Sequence, residues 1–288
     1  LDHQVKLRGF RIELGEIESL VLKHAGVSEV AVCMKKLGDS DVITAYIAPK
    51  FSGDSERTQT LEQGQISHWQ ALYQNTYADQ QIVPSPPLGE DFSGWTSALT
   101  RLALPLSEMK IWRDQTVARI LSLKPQRIYE IGCGTGLLLR SLAPAVASYV
   151  ASDFSSAVIA RIQQDLIQIP DLSHVQAFVA RADQVLPGVA SEFDAFFDTI
   201  VLNSVVQYFP SIDYLFKVLE VAFKHLAENG RLFLGDIRNL EGLALFHTER
   251  LLLHLDSDDD LSSGLDWVHY QVSQEEELCL APRFFSGL

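Results

Sequence analysis

Residues 129–136, which read YEIGCGTG, decide the fold of this chain. Apolar residues lie before and within this stretch and three leucines follow it, so the pattern predicts a strand, a tight glycine turn and a helix. Glycine at positions 132, 134 and 136 allows positive φ and a close approach of the backbone to a ligand. The amides at the start of the following helix point into the same space. The stretch therefore predicts a cofactor-binding loop.

Two classes of cofactor are bound by such a turn. The dinucleotide fingerprint requires G-x-G-x-x-G, and Leu137 occupies the position of its last glycine, which disfavours a nicotinamide oxidoreductase without excluding it. Glu130 instead gives the spacing E-x-G-x-G-x-G, which resembles the first motif of S-adenosylmethionine-dependent methyltransferases. This resemblance implies S-adenosylmethionine as the cofactor, bound by Glu130, Gly132, Gly134 and Gly136, with the acid facing its methionine end.

Composition indicates a folded protein with enough material for one large or two smaller domains. The chain has 288 residues, of which 47% are hydrophobic, and a net charge of -14. Such a charge would repel a phosphate backbone, so nucleic acid is not an expected partner. No apolar run is long enough to span a membrane and no signal peptide is recognisable. Three dispersed cysteines without CxxC or Cys/His pairing predict neither disulfides nor a metal site, and a cytoplasmic location fits best.

The first fifty residues differ from the rest in charge. They carry as many Lys and Arg as Asp and Glu, so the whole negative balance comes from the remainder. We expect a small α+β lobe here, with a hairpin around Arg8 and Gly9, a helix over 15–24, and strands over 27–34 and 41–48. The polar stretch 51–65 has no apolar period and is predicted to be a linker.

A longer motif at the start of this lobe carries a second resemblance. Residues 2–18, DHQVKLRGFRIELGEIE, resemble the eighth core motif of nonribosomal peptide synthetase adenylation domains, which opens their small C-terminal lid. In that family the position matching Asp2 is the hinge of the lid, and Gly9 lies on a loop that swings toward the active site. The remaining lid motifs have no match downstream. The resemblance implies that residues 1–50 are a lid fragment, with the rest of the adenylation domain in the same polypeptide.

Residues 66–288 alternate predicted strands and helices, the pattern of a doubly wound parallel sheet. Amphipathic helices are predicted over 66–77 and 108–123, the second capped by Ser107. Beyond the glycine turn, helices are predicted over 137–142, 155–168 and 212–226, and strands over 149–152, 175–180, 197–202 and 231–235. The fold class is therefore α/β, a Rossmann-like class I methyltransferase sheet preceded by the small α+β piece.

Ligands of such sheets lie at the carboxyl ends of the strands. Asp153 follows the second strand, where nucleotide folds place a carboxylate on ribose hydroxyls, although a helix N-cap is an alternative role. By resemblance to methyltransferases, Phe154 belongs to the cofactor site, and Ala182 and Asp183 follow the strand beside which adenine is held. Asn203 is expected to touch the methionine end.

Four segments together narrow the resemblance. IYEIGCGTGLLL, ASDFS, NSVVQYFP and GDIRN resemble the N-methyltransferase domain that is inserted in some adenylation domains just after the eighth motif. The implied reaction is methyl transfer from S-adenosylmethionine to the α-amine of an aminoacyl thioester on a carrier domain, with no metal. Methylation of a side-chain oxygen or sulfur, and an inert inserted or docking module, remain alternatives.

The residue that accepts the amine proton stays open among several candidates. Tyr208 could order the amine or act as an aromatic lid, and Asp236 with Arg238 could be acceptor and orienter or a loop ion pair. His247 has the chemistry of a base, yet its apolar helical neighbours also suit a core histidine. Residues 275–277, three acids, are expected to form a solvated helix face.

The end of the sequence carries one further expectation. Methyltransferases of this class add two strands beside the fifth, and no residues remain after position 288 to form them. We therefore expect a fragment cut inside both its adenylation and its methyltransferase units, with an exposed sheet edge.

Overall fold

A computed structural model describes residues 4–7, 10–37, 40–50, 62, 64, 66, 86–93, 95–186, 195–253 and 261–286. Asp2, Gly9, most of the predicted linker and nearly all of the helix predicted over 66–77 lie outside these ranges. The chain divides into two compact units. The first unit comprises residues 1–60 with 242–275, and the second comprises residues 61–241 with 276–288.

Nine strands and seven α-helices have defined ends within the described ranges. The strands are β1 (Gln4–Leu7), β2 (Phe10–Glu13), β3 (Val27–Leu37), β4 (Ser40–Pro49), β5 (Arg127–Ile131), β6 (Ser148–Asp153), β7 (Val175–Val179), β8 (Phe197–Asn203) and β9 (Leu226–Gly235). The helices are α1 (Leu14–Val21), α2 (Leu106–Ser122), α3 (Leu139–Leu142), α4 (Ser156–Ile167), α5 (Ile212–His225), α6 (Leu243–Leu252) and α7 (Leu261–Ser273).

The first unit contains two antiparallel hairpins, β1 with β2 and β3 with β4. Helix α1 follows the first hairpin, and the Glu18 carboxylate on it accepts a hydrogen bond from the Val32 amide at 2.8 Å. The hairpin, helix and strands expected within residues 1–50 are therefore present. Residues 242–275 also group with this unit, whereas the sequence placed them in the methyltransferase domain predicted over 66–288.

The second unit is built on a five-stranded parallel sheet in the order β7-β6-β5-β8-β9. This confirms the predicted α/β fold class. Since the chain leaves β5 first to one side and later to the other, the strand order reverses between β5 and β8. In open α/β sheets a crevice for ligands forms at such a reversal, outside the carboxyl ends of the strands.

Alternating residues of the sheet supply its two hydrophobic faces. Tyr149 and Ala151 of β6 pack in one cluster, with residues of α3 and α4, and Val150 between them packs in the other, with residues of α5. All three side chains are fully buried. This two-sided burial fixes the sheet register, and with it the position of each strand end.

The helix boundaries correct several predictions. Ser155 is the N-cap of helix α4, because its hydroxyl accepts a hydrogen bond from the Val158 amide, so Asp153 is not the N-cap. Ser107 is not a cap either, because α2 already begins at Leu106 after the extended Pro105. The helix predicted over 137–142 begins two residues later, at Leu139, because the turn that contains the glycines extends past Gly136. None of the described helices has the length and apolar character that a membrane crossing requires.

Candidate functional site

A cavity of about 650 Å³ opens at the carboxyl ends of β5, β6, β8 and β9 in the second unit. Its volume lies within the range of small-molecule sites, roughly 300–1,000 Å³. The structure brings ten of the predicted site residues together in its lining: Glu130, Gly132, Gly134, Asp153, Phe154, Ala182, Asn203, Tyr208, Asp236 and Arg238.

The glycine loop leaves no room for side chains. Gly132, Gly134 and Gly136 have φ angles of 75°, 50° and 79°, in the left-handed region that favours glycine. A Cβ at position 132 would lie 2.5 Å from Cγ2 of Val205, and one at 136 would lie 2.7 Å from Cδ1 of Leu88. Gly136 is therefore needed for packing behind the loop rather than as part of the cavity lining.

Asp153 holds this loop from the neighbouring strand. Its Oδ2 accepts a hydrogen bond from the Gly134 amide at 3.0 Å and its Oδ1 accepts one from the Ser155 amide at 2.9 Å. Burial raises the pKa of Asp153, and the amides of Ser155, Gly134 and Phe154 oppose that rise. Because each carboxylate oxygen has more than one acceptor site, Asp153 can also accept hydroxyl donors from a ligand in the cavity.

Glu130 is the most deeply buried acid of the lining, with 3% of its surface exposed. Burial raises its pKa to about 8, a hydrogen bond from the Tyr149 hydroxyl at 2.7 Å opposes the rise, and the charge of Asp153 adds to it. The side chain is thus largely protonated at neutral pH. A cationic ligand group beside it would favour the carboxylate form.

Polar groups at and just beyond the carboxyl ends of β8 and β9 form a second cluster in the lining. Asn203 Nδ2 donates to Ser204 Oγ at 3.1 Å, and that hydroxyl donates to Asp236 Oδ2 at 2.6 Å. Ser204 and Asp236 have φ angles of 58° and 55°, and such strained residues concentrate at functional sites. The Asn203 side chain occupies the space where residue 235 would carry a Cβ, so Gly235 makes room for it.

Arg238 belongs to the same part of the lining through an ion pair that the sequence did not predict. Its Nε lies 2.9 Å from Oε2 of Glu277, which also lines the cavity. The expected helix face over 275–277 is wrong, because α7 ends at Ser273. The chain after α7 is fixed instead by two backbone hydrogen bonds. The Leu278 amide donates to the Gln207 carbonyl, and the Leu280 amide donates to the Arg238 carbonyl.

Two other predicted site residues lie outside the lining. Asp183 accepts hydrogen bonds from Arg181 and from the Tyr214 hydroxyl, each at 2.9 Å, and so fixes two side chains that do line the cavity. His247 lies in the first unit on α6, 4% exposed, with its Nε2 3.8 Å from Oε2 of Glu275 and its ring against Trp267.

One wall of the cavity was missed in the sequence. It comes from the segment before α2, which contributes Ser93, Trp95, Thr96, Ala98, Arg101 and Leu104. The Trp95 ring packs against Trp112 of α2, with 4.7 Å between their centroids. Trp95, in the sequence DFSGW at 91–95, was the available signal for this wall. The sequence does not show which element that ring packs on.

The lining fits S-adenosylmethionine by its chemistry. The glycine loop presents backbone without side chains to the cavity at positions 132 and 134, and buried acids at positions 130 and 153 suit the cationic and hydroxyl groups of that cofactor. Apolar side chains such as Phe154, Leu137 and Val205 surround them. Within the part of the chain that the structure describes, no group of three His, Cys, Asp or Glu residues could hold a metal ion.

Comparison with known proteins agrees with this chemistry. The family described as "Methyltransferase domain" matches residues 129–232. The chain is 40% identical to the chondramide synthase cmdD of Chondromyces crocatus and 32% identical to the nonribosomal peptide synthetase kk1B of Curvularia clavata. Each alignment covers 100% of this chain, but only 7% and 2% of those proteins.

Among solved structures, the N-methyltransferase NodS of Bradyrhizobium japonicum is 21% identical, with 46% of this chain and 72% of that chain covered. The TM-score of 0.38 is too low to add to the fold described above. Residues 129–232 therefore match the methyltransferase domain family, in a chain that is homologous throughout its length to segments of nonribosomal peptide synthetases.

Proposed function

We propose that this chain transfers a methyl group from S-adenosylmethionine to the α-amine of an aminoacyl thioester held on a carrier domain of a nonribosomal peptide synthetase. One observation carries the proposal. A single cavity contains the glycine loop with its two buried acids and, at the ends of β8 and β9, the hydrogen-bonded pair Ser204 and Asp236. Methyl donor and acceptor would therefore be held in one cavity.

The cofactor end of the cavity is assigned to the loop and its acids. The amides and small surface of the glycine loop would contact the nucleoside, Asp153 would accept hydrogen bonds from ribose hydroxyls, and Glu130 would face the cationic methionine portion. When bound, S-adenosylmethionine supplies an electrophilic methyl carbon on a positively charged sulfur. Ala182, beside Arg181 in the lining, would lie along the adenine.

The acceptor end is assigned to the cluster on β8 and β9. In the transfer, the amine nitrogen forms a bond to the methyl carbon as the carbon–sulfur bond breaks, and the nitrogen loses a proton. We assign that proton to Asp236, whose carboxylate Ser204 holds at 2.6 Å, and we assign Tyr208 and Arg238 to orienting the acceptor. Since much of the rate comes from alignment of nitrogen, carbon and sulfur, rigid placement of these side chains matters most.

The charge of the acceptor end favours an amine over the alternative acceptors. A free α-amine has a pKa of about 7.7–8.0, so part of it is already neutral near pH 7 and a carboxylate is a sufficient proton acceptor. A side-chain hydroxyl would need a stronger base. His247, the one histidine considered as a base from the sequence, lies outside the lining.

The setting of the reaction is also proposed. The carrier domain, and the rest of an adenylation domain to which residues 1–50 would belong, are assigned as partners in the same polypeptide, in the cytoplasm. Support comes from the motif over 2–18 and from the two synthetases to which the chain is homologous.

Mass spectrometry of a carrier loaded with an amino acid tests the proposal. After incubation with the chain and S-adenosylmethionine, the aminoacyl group should gain the mass of one CH2 unit, because the methyl group replaces a hydrogen. S-adenosylhomocysteine should be formed in equal amount. No methyl gain despite measurable cofactor binding would favour an inert module, and preferential binding of NADH would favour an oxidoreductase.

A further inference from the structure

The segment 86–104, described except for residue 94, is fitted closely onto the glycine loop. Leu88 is 6% exposed, and its Cδ1 lies where a Cβ on Gly136 would collide. Gly89 has a φ of 83°, and a Cβ there would lie 2.5 Å from Cβ of Arg140, which follows the loop. Two glycines from distant parts of the sequence thus permit this approach.

Asp91 joins three parts of the second unit at this point. Its backbone oxygen accepts a hydrogen bond from the Thr135 hydroxyl, inside the glycine loop, at 2.9 Å. Its Oδ2 accepts one from Nη1 of Arg161, on α4, at 2.7 Å, and its Oδ1 accepts from the hydroxyl and the amide of Ser93. The second Arg161 nitrogen, Nη2, donates to the backbone oxygen of Pro86 at 2.7 Å.

The burial of this acid makes its partners necessary. Asp91 is 2% exposed, and burial alone would raise its pKa, yet the hydrogen bonds from Ser93 and Arg161 bring that pKa below its usual value. A buried carboxylate that loses its cation costs considerable stability, so movement of residue 91 away from Arg161 is unfavourable. Ser93 and Trp95, which follow directly, are cavity wall.

We infer that Asp91 is a positioning residue of the cofactor site: fixed by Arg161, it holds the glycine loop through Thr135 and fixes the start of the cavity wall at Ser93 and Trp95. The inference rests on the proposed function in that the ligand of the loop is S-adenosylmethionine. It adds a part of the site that comes from outside the sheet, 44 residues before the loop in sequence.

Two test variants and two control variants separate this role from a general structural one. Thr135→Val keeps the shape of residue 135 and removes only the donor, whereas Thr135→Ser keeps the donor. Asp91→Asn keeps the shape of residue 91 and removes the charge that Arg161 pairs with. Glu90→Gln is the matched control, because Glu90 is exposed and pairs only with Lys110 and Arg113 among the contacts described.

The first readout is amide hydrogen exchange of peptides covering 129–139 in the whole chain without ligand. We expect exchange in the loop about three- to tenfold faster in Thr135→Val and Asp91→Asn, as loss of one hydrogen bond predicts, and unchanged in Thr135→Ser and Glu90→Gln. The second readout is calorimetric affinity for S-adenosylmethionine, which should weaken by a similar factor in the first two variants alone.

The inference is overturned if loop exchange in Thr135→Val matches that of the parent chain. It is equally overturned if Thr135→Val and Asp91→Asn speed exchange uniformly over the sheet, including β7, and leave cofactor affinity unchanged. Failure of the parent chain to bind S-adenosylmethionine would instead contradict the proposed function, and hydrogen exchange would still decide whether Asp91 positions the loop.

Discussion

The amide of Gly134 donates a hydrogen bond to the Asp153 carboxylate at 3.0 Å, and this links the glycine loop after β5 to the end of β6. The sequence suggested Asp153 as a ligand of ribose. In the structure the same carboxylate also determines the shape of the loop, because one of its oxygens is bound to the loop itself. Loss of Asp153 should therefore affect cofactor binding in two ways.

Replacement of Asp153 with Ala should weaken the binding of S-adenosylmethionine by about 10- to 100-fold, the effect of losing hydrogen bonds to a charged group. Calorimetry on the whole chain measures this. Asp171→Ala, which removes an exposed acid of the same unit, is the control and should bind like the parent chain. Equal affinity in all three proteins would remove Asp153 from the site.

Gly132→Ala should destabilise the second unit by about 1–3 kcal/mol, because a side chain at a φ of 75° is strained and its Cβ meets Val205. Denaturant unfolding measures the change. Gly15→Ala serves as the control, since Gly15 lies in α1 with open space around it, and alanine there should be neutral or mildly stabilising. A Gly132→Ala chain as stable as its parent would show that the loop tolerates side chains.

The strand ends could be predicted because their signal is local. Apolar runs that end in Gly132, Asp153, Asn203 and Asp236 identify the sheet edge from sequence alone, and the structure places these residues around one cavity. The site residues that were missed depend on contacts between distant positions. The hydrogen bond from Thr135 to Asp91 spans 44 residues, and the ion pair of Arg238 with Glu277 joins a loop to a charged stretch. Sequence periodicity indicates neither contact.

The difference between local signals and contacts of distant residues also explains two other outcomes. The helix with His247 was identified correctly, yet its grouping with the first unit depends on tertiary contacts. The acids at 275–277 resembled a solvated helix face in composition, but α7 ends before them. A run of acids looks the same in the sequence whether it covers a helix face or contributes to a site. The sequence therefore could not show that Glu277 lines the cavity.

Glu130→Gln should change how stability depends on pH. In the folded chain the Glu130 pKa is about 8, well above its value of 4.5 when exposed, so the native state binds the extra proton. The stability that comes from keeping Glu130 protonated in the folded chain is fully present below about pH 4.5 and is lost as pH rises through about 8. Relative to the parent chain, Glu130→Gln should gain stability between pH 5 and 8, measured by denaturant unfolding at each pH. A constant difference across that range would contradict the raised pKa.

The Ser204 and Asp236 pair should affect catalysis more than cofactor binding. We expect Asp236→Asn to lower kcat/KM for the aminoacyl carrier by about 100-fold or more, the usual contribution of a general base, and Ser204→Ala by about tenfold. Affinity for S-adenosylmethionine should stay unchanged in both. The rate of Asp236→Asn should also recover as pH rises through about 8, where the free amine loses its proton without help.

The exposed Ser173 provides a matched control for Ser204, and Ser173→Ala should behave like the parent chain. If Ser204→Ala and Asp236→Asn both transfer methyl groups at the parental rate, the proton acceptor is another residue. If instead they lose cofactor affinity in proportion to rate, the pair belongs to the cofactor end of the cavity rather than to the acceptor end.

The most direct test of the central claim uses two matched carriers, one loaded with an amino acid that has a free α-amine and one with the same amino acid acetylated at that amine. The chain and S-adenosylmethionine are added to each, and fragment-ion mass spectrometry locates any added methyl group. We predict one methyl group on the α-nitrogen of the free aminoacyl carrier and none on the acetylated one. Methyl transfer to both carriers, or to a side-chain oxygen or sulfur, would contradict the assignment of this chain as an α-amine N-methyltransferase.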